Sequence, residues 1–245
     1  MTAKRGTAAD GLSWQASGRS TAADRGLYPL GGARRRTLGP MHDLVLYGNH
    51  ESGHSYKVRL FLTLAGIPHR YVWVDTEIPR AARPEEFRRV SQFGEVPVLV
   101  TDGRPQAQSN AILLTLARQT GSFGPPPGST WEQLTTWLFW EANRIGFSMA
   151  NLRYYRRGFD TAPSGAVAWV ESRALADMDR LQQDLSVRPF LAGDAPSIAD
   201  LSASAYVFLA PEAGVDPARW PAVVAWLDRI RALPGWVGQY TLMAR

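Results

Sequence analysis

The chain of 245 residues has no cysteine and only two lysines, against 25 arginines. The missing thiols exclude a disulfide scaffold, cysteine-based zinc or iron–sulfur sites and a cysteine nucleophile. No run of eighteen apolar residues is present, so no membrane-spanning helix is expected. What is there suits a globular body. Hydrophobic residues make up 45%, charged residues 20%, and the chain is long enough for one large or two small domains around a sizeable core.

The formal net charge is +5, a balance that points first to a nucleic-acid or membrane-surface partner. Its distribution removes that implication. Residues 1–40 hold seven basic groups (Lys4, Arg5, Arg19, Arg25, Arg34, Arg35, Arg36) and two acidic ones (Asp10, Asp24), and the remaining residues hold twenty of each sign. The whole excess therefore sits in a Gly-, Ala-, Ser-, Thr- and Arg-rich segment without apolar periodicity. That segment reads as a disordered basic extension over 1–40, with Met41 a candidate internal start. Removing it is expected to leave function unchanged. Neither a nucleic-acid nor a membrane partner is expected.

From Met41 the punctuation is regular. Leu44–Tyr47 reads as a buried strand ending at Gly48, and Ser55–Ala65 as a helix closed by Gly66. Tyr71–Val74 is a second strand, 76–92 holds a short helix, and Val96–Val100 is a third strand. Thr101-Asp102-Gly103-Arg104 has hairpin chemistry leading to a fourth strand near 105–107, and Ala111–Arg118 is helical. The order β-α-β-α-β-β-α predicts an α/β layout with a mixed four-stranded sheet. The Pro-rich stretch within 121–130 (GSFGPPPGS) is a linker. Beyond it the spacing predicts an all-helical region over 131–245, with helices at 131–157, 166–185, 197–210 and 221–232. Ser197 and Asp200 have the spacing of a capping box.

His50-Glu51-Ser52-Gly53-His54 matches H-E-x-x-H, which binds zinc when both imidazoles share one helix face. The segment directly follows a strand and contains Gly53, a poor helix residue, so no metal site is expected.

Several motifs in fixed order resemble the cytosolic glutathione S-transferases, in their serine-type, bacterial-like form. They are Leu46-Tyr47; Ser52-Gly53-His54-Ser55-Tyr56-Lys57-Val58-Arg59; Gly66-Ile67-Pro68; Gly94-Glu95-Val96-Pro97-Val98-Leu99; Gln108-Ser109-Asn110-Ala111-Ile112; and Phe190–Asp200. Trp226-Leu227 and Leu233-Pro234-Gly235 complete the set. The resemblance implies a thioredoxin-like glutathione-binding domain over 41–120 and an all-α C-terminal domain over 131–245. It also implies a cytoplasmic homodimer, a role in detoxification, no bound cofactor, and glutathione as cosubstrate for a small hydrophobic electrophile.

By the same resemblance, Val96-Pro97 is a cis peptide, and the Val96 backbone pairs with the cysteinyl part of glutathione. Gln108 and Ser109, at a helix start, take the γ-glutamyl carboxylate. Gln108 departs from the acidic residue many members carry. Ser52, six residues before Val58, is the expected hydroxyl that stabilises the thiolate, with Tyr47 and Ser55 as competitors. Tyr47 also reads as a core aromatic and Ser55 as an N-cap. His50, Trp140, Arg144, Phe147, Tyr154 and Tyr155 are candidates for the second-substrate wall, although an aromatic stripe at helical spacing more often forms core or dimer interface. Rival readings on the same scaffold are a non-enzymatic binding or assembly module and a glutathione-dependent peroxidase, dehalogenase or isomerase.

Overall fold

The computed structural model describes residues 43–158 and 161–245. The expected basic extension and its candidate start at Met41 lie outside the described residues.

Strand β1 (Leu44–Gly48) is buried along its whole length, which is why its sequence is a continuous apolar run. It pairs in parallel with β2 (Arg70–Trp73) and antiparallel with β3 (Val98–Thr101), and β3 pairs antiparallel with β4 (Arg104–Ala107). The sheet order is β2-β1-β3-β4. Asp102 and Gly103 both take positive φ, 49° and 77°, between Thr101 and Arg104. This is the two-residue turn whose twist matches a hairpin.

Helix α1 (Gly53–Leu64) starts two residues earlier than its apolar pattern predicts, because Ser52 caps it. Helix α2 (Glu85–Val90) has Glu85 and Glu86 in its first turn and Arg88 and Arg89 in its last, matching its dipole. Helix α3 (Ser109–Thr120) ends at Gly121 in the left-handed conformation. Phe87 of α2 covers one side of the sheet with Val45, Tyr47, Val74 and Val98. α1 and α3 cover the other.

The helical region departs from the sequence reading at one informative point. Residues 131–157 form two helices, α4 (Trp131–Asn143) and α5 (Ile145–Arg156), broken at Arg144 with φ −115° and ψ −101°. At Gly146, an added Cβ would lie 2.3 Å from Glu141 Oε1 and 2.9 Å from Glu141 O. The break is therefore folded back so tightly that only glycine fits there. Helix α6 (Ser164–Leu185), α7 (Ile198–Val207) and α8 (Pro221–Arg231) follow, and a short α9 (Gln239–Leu242) closes the described chain.

α7 carries the expected capping box. Asp200 accepts from the Ser197 N–H at 2.9 Å, and also from Leu191 N–H and the Trp226 indole. Leu134 and Leu138 of α4 and Ile198, Leu201 and Ala205 of α7 join the core formed by α1 and α3. One apolar cluster thus fastens the sheet layer to the helices.

Candidate functional site

The site lies where the N-terminus of α1, the loop before β3 and the start of α3 face α4, α5 and α7. It has two adjoining parts. One is lined by Pro97, Gln108, Ser109, Asn110 and Glu141. The other is lined by Glu51, Ser52, Arg80, Phe147, Arg153, Tyr154 and Tyr206. His54, Glu95 and Val96 border both.

The Val96-Pro97 peptide is cis. Pairing in β3 begins only at Val98, and among the described residues no partner is found for the Val96 N–H or C=O. A half-buried backbone amide with both groups unpaired can receive an extended peptide as an added strand.

Gln108 is the N-cap of α3, at φ 68° and ψ 107°, and its side chain makes no capping bond. A non-glycine residue held there costs on the order of 1–3 kcal/mol, and such outliers cluster at functional sites. Ser109 is the first helical residue and is buried, not the cap. The first turn of α3 contains no acidic residue, so its N-terminal N–H groups keep their attraction for an anion.

Ser52 accepts the Ser55 N–H at 3.1 Å as the N-cap of α1. A hydroxyl has one proton and two lone pairs, so capping leaves its proton to donate into the cleft. Ser55 is not the cap its position suggested. It is fully buried inside α1, with the Asn49 N–H 3.4 Å from its hydroxyl. Tyr47 is buried against Phe87, ring centroids 5.7 Å apart, in the core beneath α2. Neither of these two competitors lines the cleft.

Of the residues expected in the second-substrate wall, Phe147 and Tyr154 line the cleft, and Tyr155 stands edge-on to Tyr154 at 5.9 Å. The other three are engaged elsewhere. His50 stacks on Trp73 and accepts its indole N–H at 3.0 Å. Trp140 packs edge-on against Trp137 and the helical core. Arg144 is not among the residues lining the cleft, and its Nε donates to the fully buried Asp177 at 2.6 Å. His50 precedes α1 while His54 lies in its first turn, so the H-E-x-x-H imidazoles do not share a helix face. Among the described residues no group of three or more His, Asp or Glu side chains is placed to hold a metal.

The chain also assembles groups that sequence reasoning missed. Lys57, fully buried, donates to Glu141 at 2.8 Å, Asn110 at 2.8 Å and Ser202 at 3.0 Å. Burial disfavours the Glu141 carboxylate, but Lys57 and the Asn110 amide hold it below its ordinary range. A signal was available: Lys57 is the only lysine after residue 4, and it sits within an apolar helix. Burial, followed by the Lys57 ammonium, lowers His54 to about 4, so it stays neutral at physiological pH. Arg153 donates to Glu51 and, at 2.7 Å, to Glu212. Burial would raise the Glu51 carboxyl, but Arg153 and Arg157 hold it down. Arg80 and Glu95, both exposed, pair at 3.3 Å on the rim.

A mixed four-stranded sheet with helices on its faces, joined to a helical bundle across a cleft, is a thioredoxin-like architecture with an all-helical second part. Family models for the glutathione S-transferase N-terminal and C-terminal domains match residues 51–119 and 168–234. The chain is 32% identical over 203 residues to the disulfide-bond oxidoreductase YfcG of Escherichia coli, covering 78% of this chain and 91% of that one. It is 32% identical over 195 residues to the maleylacetoacetate isomerase of Rhizobium meliloti, covering 77% and 91%. A solved glutathione S-transferase from Xanthobacter autotrophicus superposes with a TM-score of 0.73 at 35% identity, over 80% of this chain and 96% of that one. The chain belongs to the glutathione S-transferase family.

Proposed function

We propose that the protein is a glutathione S-transferase, with glutathione as cosubstrate and a small hydrophobic electrophile as its second substrate. The observation that carries the reading is one continuous cleft bordered by Ser52, the unpaired Val96 backbone and the Gln108–Ser109 start of α3. Val96, the start of α3 and Arg80 suit the three residues of the tripeptide, and Ser52 suits its sulfur. Val96 pairs with the cysteinyl residue as an added strand. The N-terminus of α3 with Ser109 takes the γ-glutamyl carboxylate, and Arg80 on the opposite rim suits the glycyl carboxylate.

A free thiol near its reference pKa of about 8.5 is only slightly ionised at neutral pH. A hydroxyl donated by Ser52, in the field of α1, favours the thiolate. The thiol proton leaves to solvent, and sulfur attacks the electrophilic carbon. The C–S bond forms while the leaving group departs with its bonding pair. Phe147 and Tyr154 offer apolar surface to the electrophile.

The names of the two curated relatives favour a second reading on the same site, disulfide reduction or isomerisation. With no cysteine in the chain, both thiols of a disulfide reduction would come from two glutathione molecules, which leave as their disulfide while the substrate leaves as two thiols.

The proposed organisation is a glutathione-binding domain over 41–120, a linker over 121–130 and a helical domain over 131–245, acting in the cytoplasm as a homodimer. Phe139 of α4, 73% exposed, and Phe93 beside the cleft offer apolar surface for a second copy.

Retention on immobilised glutathione, followed by turnover with a panel of electrophiles, tests the function. Retention with turnover that falls about 10–100-fold in Ser52→Ala supports it. Absence of both retention and turnover in the wild type rejects it.

A further inference from the structure

We infer that Tyr206, on α7 of the helical region, is a second hydroxyl donor to the reacting sulfur. This inference rests on the glutathione reading above. Ser52, the hydroxyl the motif resemblance implies, caps α1, and Tyr206 lies against the same helix start. Its ring lies against Gly53, the first helical residue: a Cβ added there would fall 2.9 Å from Tyr206 Cζ and 3.0 Å from Cε2. His54 meets the same ring edge-on, with centroids 4.9 Å apart. Tyr206 is 6% exposed, and it borders the cleft with Ser52, Val96, Arg153 and Tyr154.

The backbone N–H groups of Gly53 and His54 approach the phenol oxygen. Those donors would otherwise be available to an anion at the helix end. Tyr206 sets its oxygen toward them, and no acceptor for its own O–H is found among the described residues. The arrangement relays the positive end of α1 through the phenol and leaves one proton to give. A phenol that accepts on one side and donates on the other is a stronger donor than an isolated one. Burial pushes Tyr206 up to about 12, so the group remains protonated while the thiolate forms.

Tyr206 therefore acts without losing its proton. It donates a hydrogen bond to the sulfur from the helical side, as Ser52 does from the sheet side, while the thiol proton goes to solvent. Gly53 is explained by the same contact, since any side chain there would push the ring out of the cleft.

The decisive experiment titrates protein-bound glutathione by its thiolate ultraviolet absorbance in wild type, Tyr206→Phe and Ser52→Ala. The same three proteins are assayed for kcat and KM with an activated aryl chloride. Tyr206→Phe keeps the ring and its packing. The expected result is a bound thiol whose pKa rises by about 1, with kcat at neutral pH falling about tenfold and KM for glutathione little changed. A Tyr206→Phe protein with the wild-type thiol pKa and kcat overturns the inference while leaving the glutathione reading intact. A wild-type protein that binds no glutathione overturns both.

Discussion

Lys57 Nζ lies 2.8 Å from Glu141 Oε2, and both side chains are buried to within 1% of complete exclusion from solvent. The pair ties α1 of the sheet region to α4 of the helical region at the base of the cleft. Removing one partner strands a buried charge. Lys57→Met is expected to cost about 3–5 kcal/mol, while the double variant Lys57→Met/Glu141→Leu recovers much of that loss. Urea unfolding of the two single variants and the double variant measures the coupling.

Gly53→Ala places a methyl group where Tyr206 Cζ now sits 2.9 Å away. The substitution falls in the first turn of a helix, where alanine is otherwise well tolerated. The expected outcome is a protein that still folds, destabilised by about 1–3 kcal/mol as the buried ring is displaced, and that loses at least about tenfold in turnover. A calorimetric scan and an activity assay on one preparation separate the two effects.

His54 carries a pKa lowered to about 4, against about 6.5 when unfolded. The unfolded chain then binds more protons between these values, so stability rises with pH across that window. Acidification from pH 6.5 to 4 is expected to destabilise the protein by at most about 1.4 kcal/mol per pH unit from this group. His54→Asn flattens that part of the stability-against-pH curve. A series of denaturant midpoints from pH 7 to 4.5 checks it.

Arg153 donates to Glu51 in the loop before α1, to the backbone of that residue at 3.0 Å, and to Glu212. It thereby fixes the loop that carries Ser52. Arg153→Met is expected to lower kcat by about tenfold or more through lost positioning and to cost about 3 kcal/mol by leaving two carboxylates underpaired. The Glu51 carboxyl is held below its ordinary value, so its stabilisation is present above about pH 4.5 and fades as pH falls through the lowered value. That acid limb should shrink in the variant, where Arg157 alone still pairs with Glu51, as a pH-dependent melting series would show.

How far each element was legible follows from how local its cause is. β1 announces itself because burial on both faces demands an apolar run, and the β3–β4 turn because Asp102-Gly103 can adopt two successive positive φ angles. The Ser197–Asp200 box is local chemistry and was read correctly. The single helix expected over 131–157 failed because the break at Arg144 depends on Gly146 packing onto Glu141, a contact that apolar periodicity does not encode.

The same division governs the site. The cis Val96-Pro97 peptide and the helix start at Gln108-Ser109 were expected from short motifs, and the fold sets Ser52, expected from its offset, at the cleft. Trp140 and Arg144 were expected at the cleft from the resemblance, on the first long helix of the C-terminal region. Helical spacing gives a residue's angle around its own axis and not what faces it, and in the fold they meet Trp137 and Asp177.

The sequence alone determined the element order of the sheet layer, its separation from a helical one and the confinement of the net charge to residues 1–40. Each is a property of composition or of contacts a few residues long. Only the tertiary structure decided which hydroxyls and charges meet in the cleft. Ser52 and Tyr206 are 154 positions apart, Lys57 and Glu141 are 84 apart, and Glu51 and Arg153 are 102 apart. Such pairings are set by how α1 packs against α4, α5 and α7, a matter of shape and burial that no local pattern records.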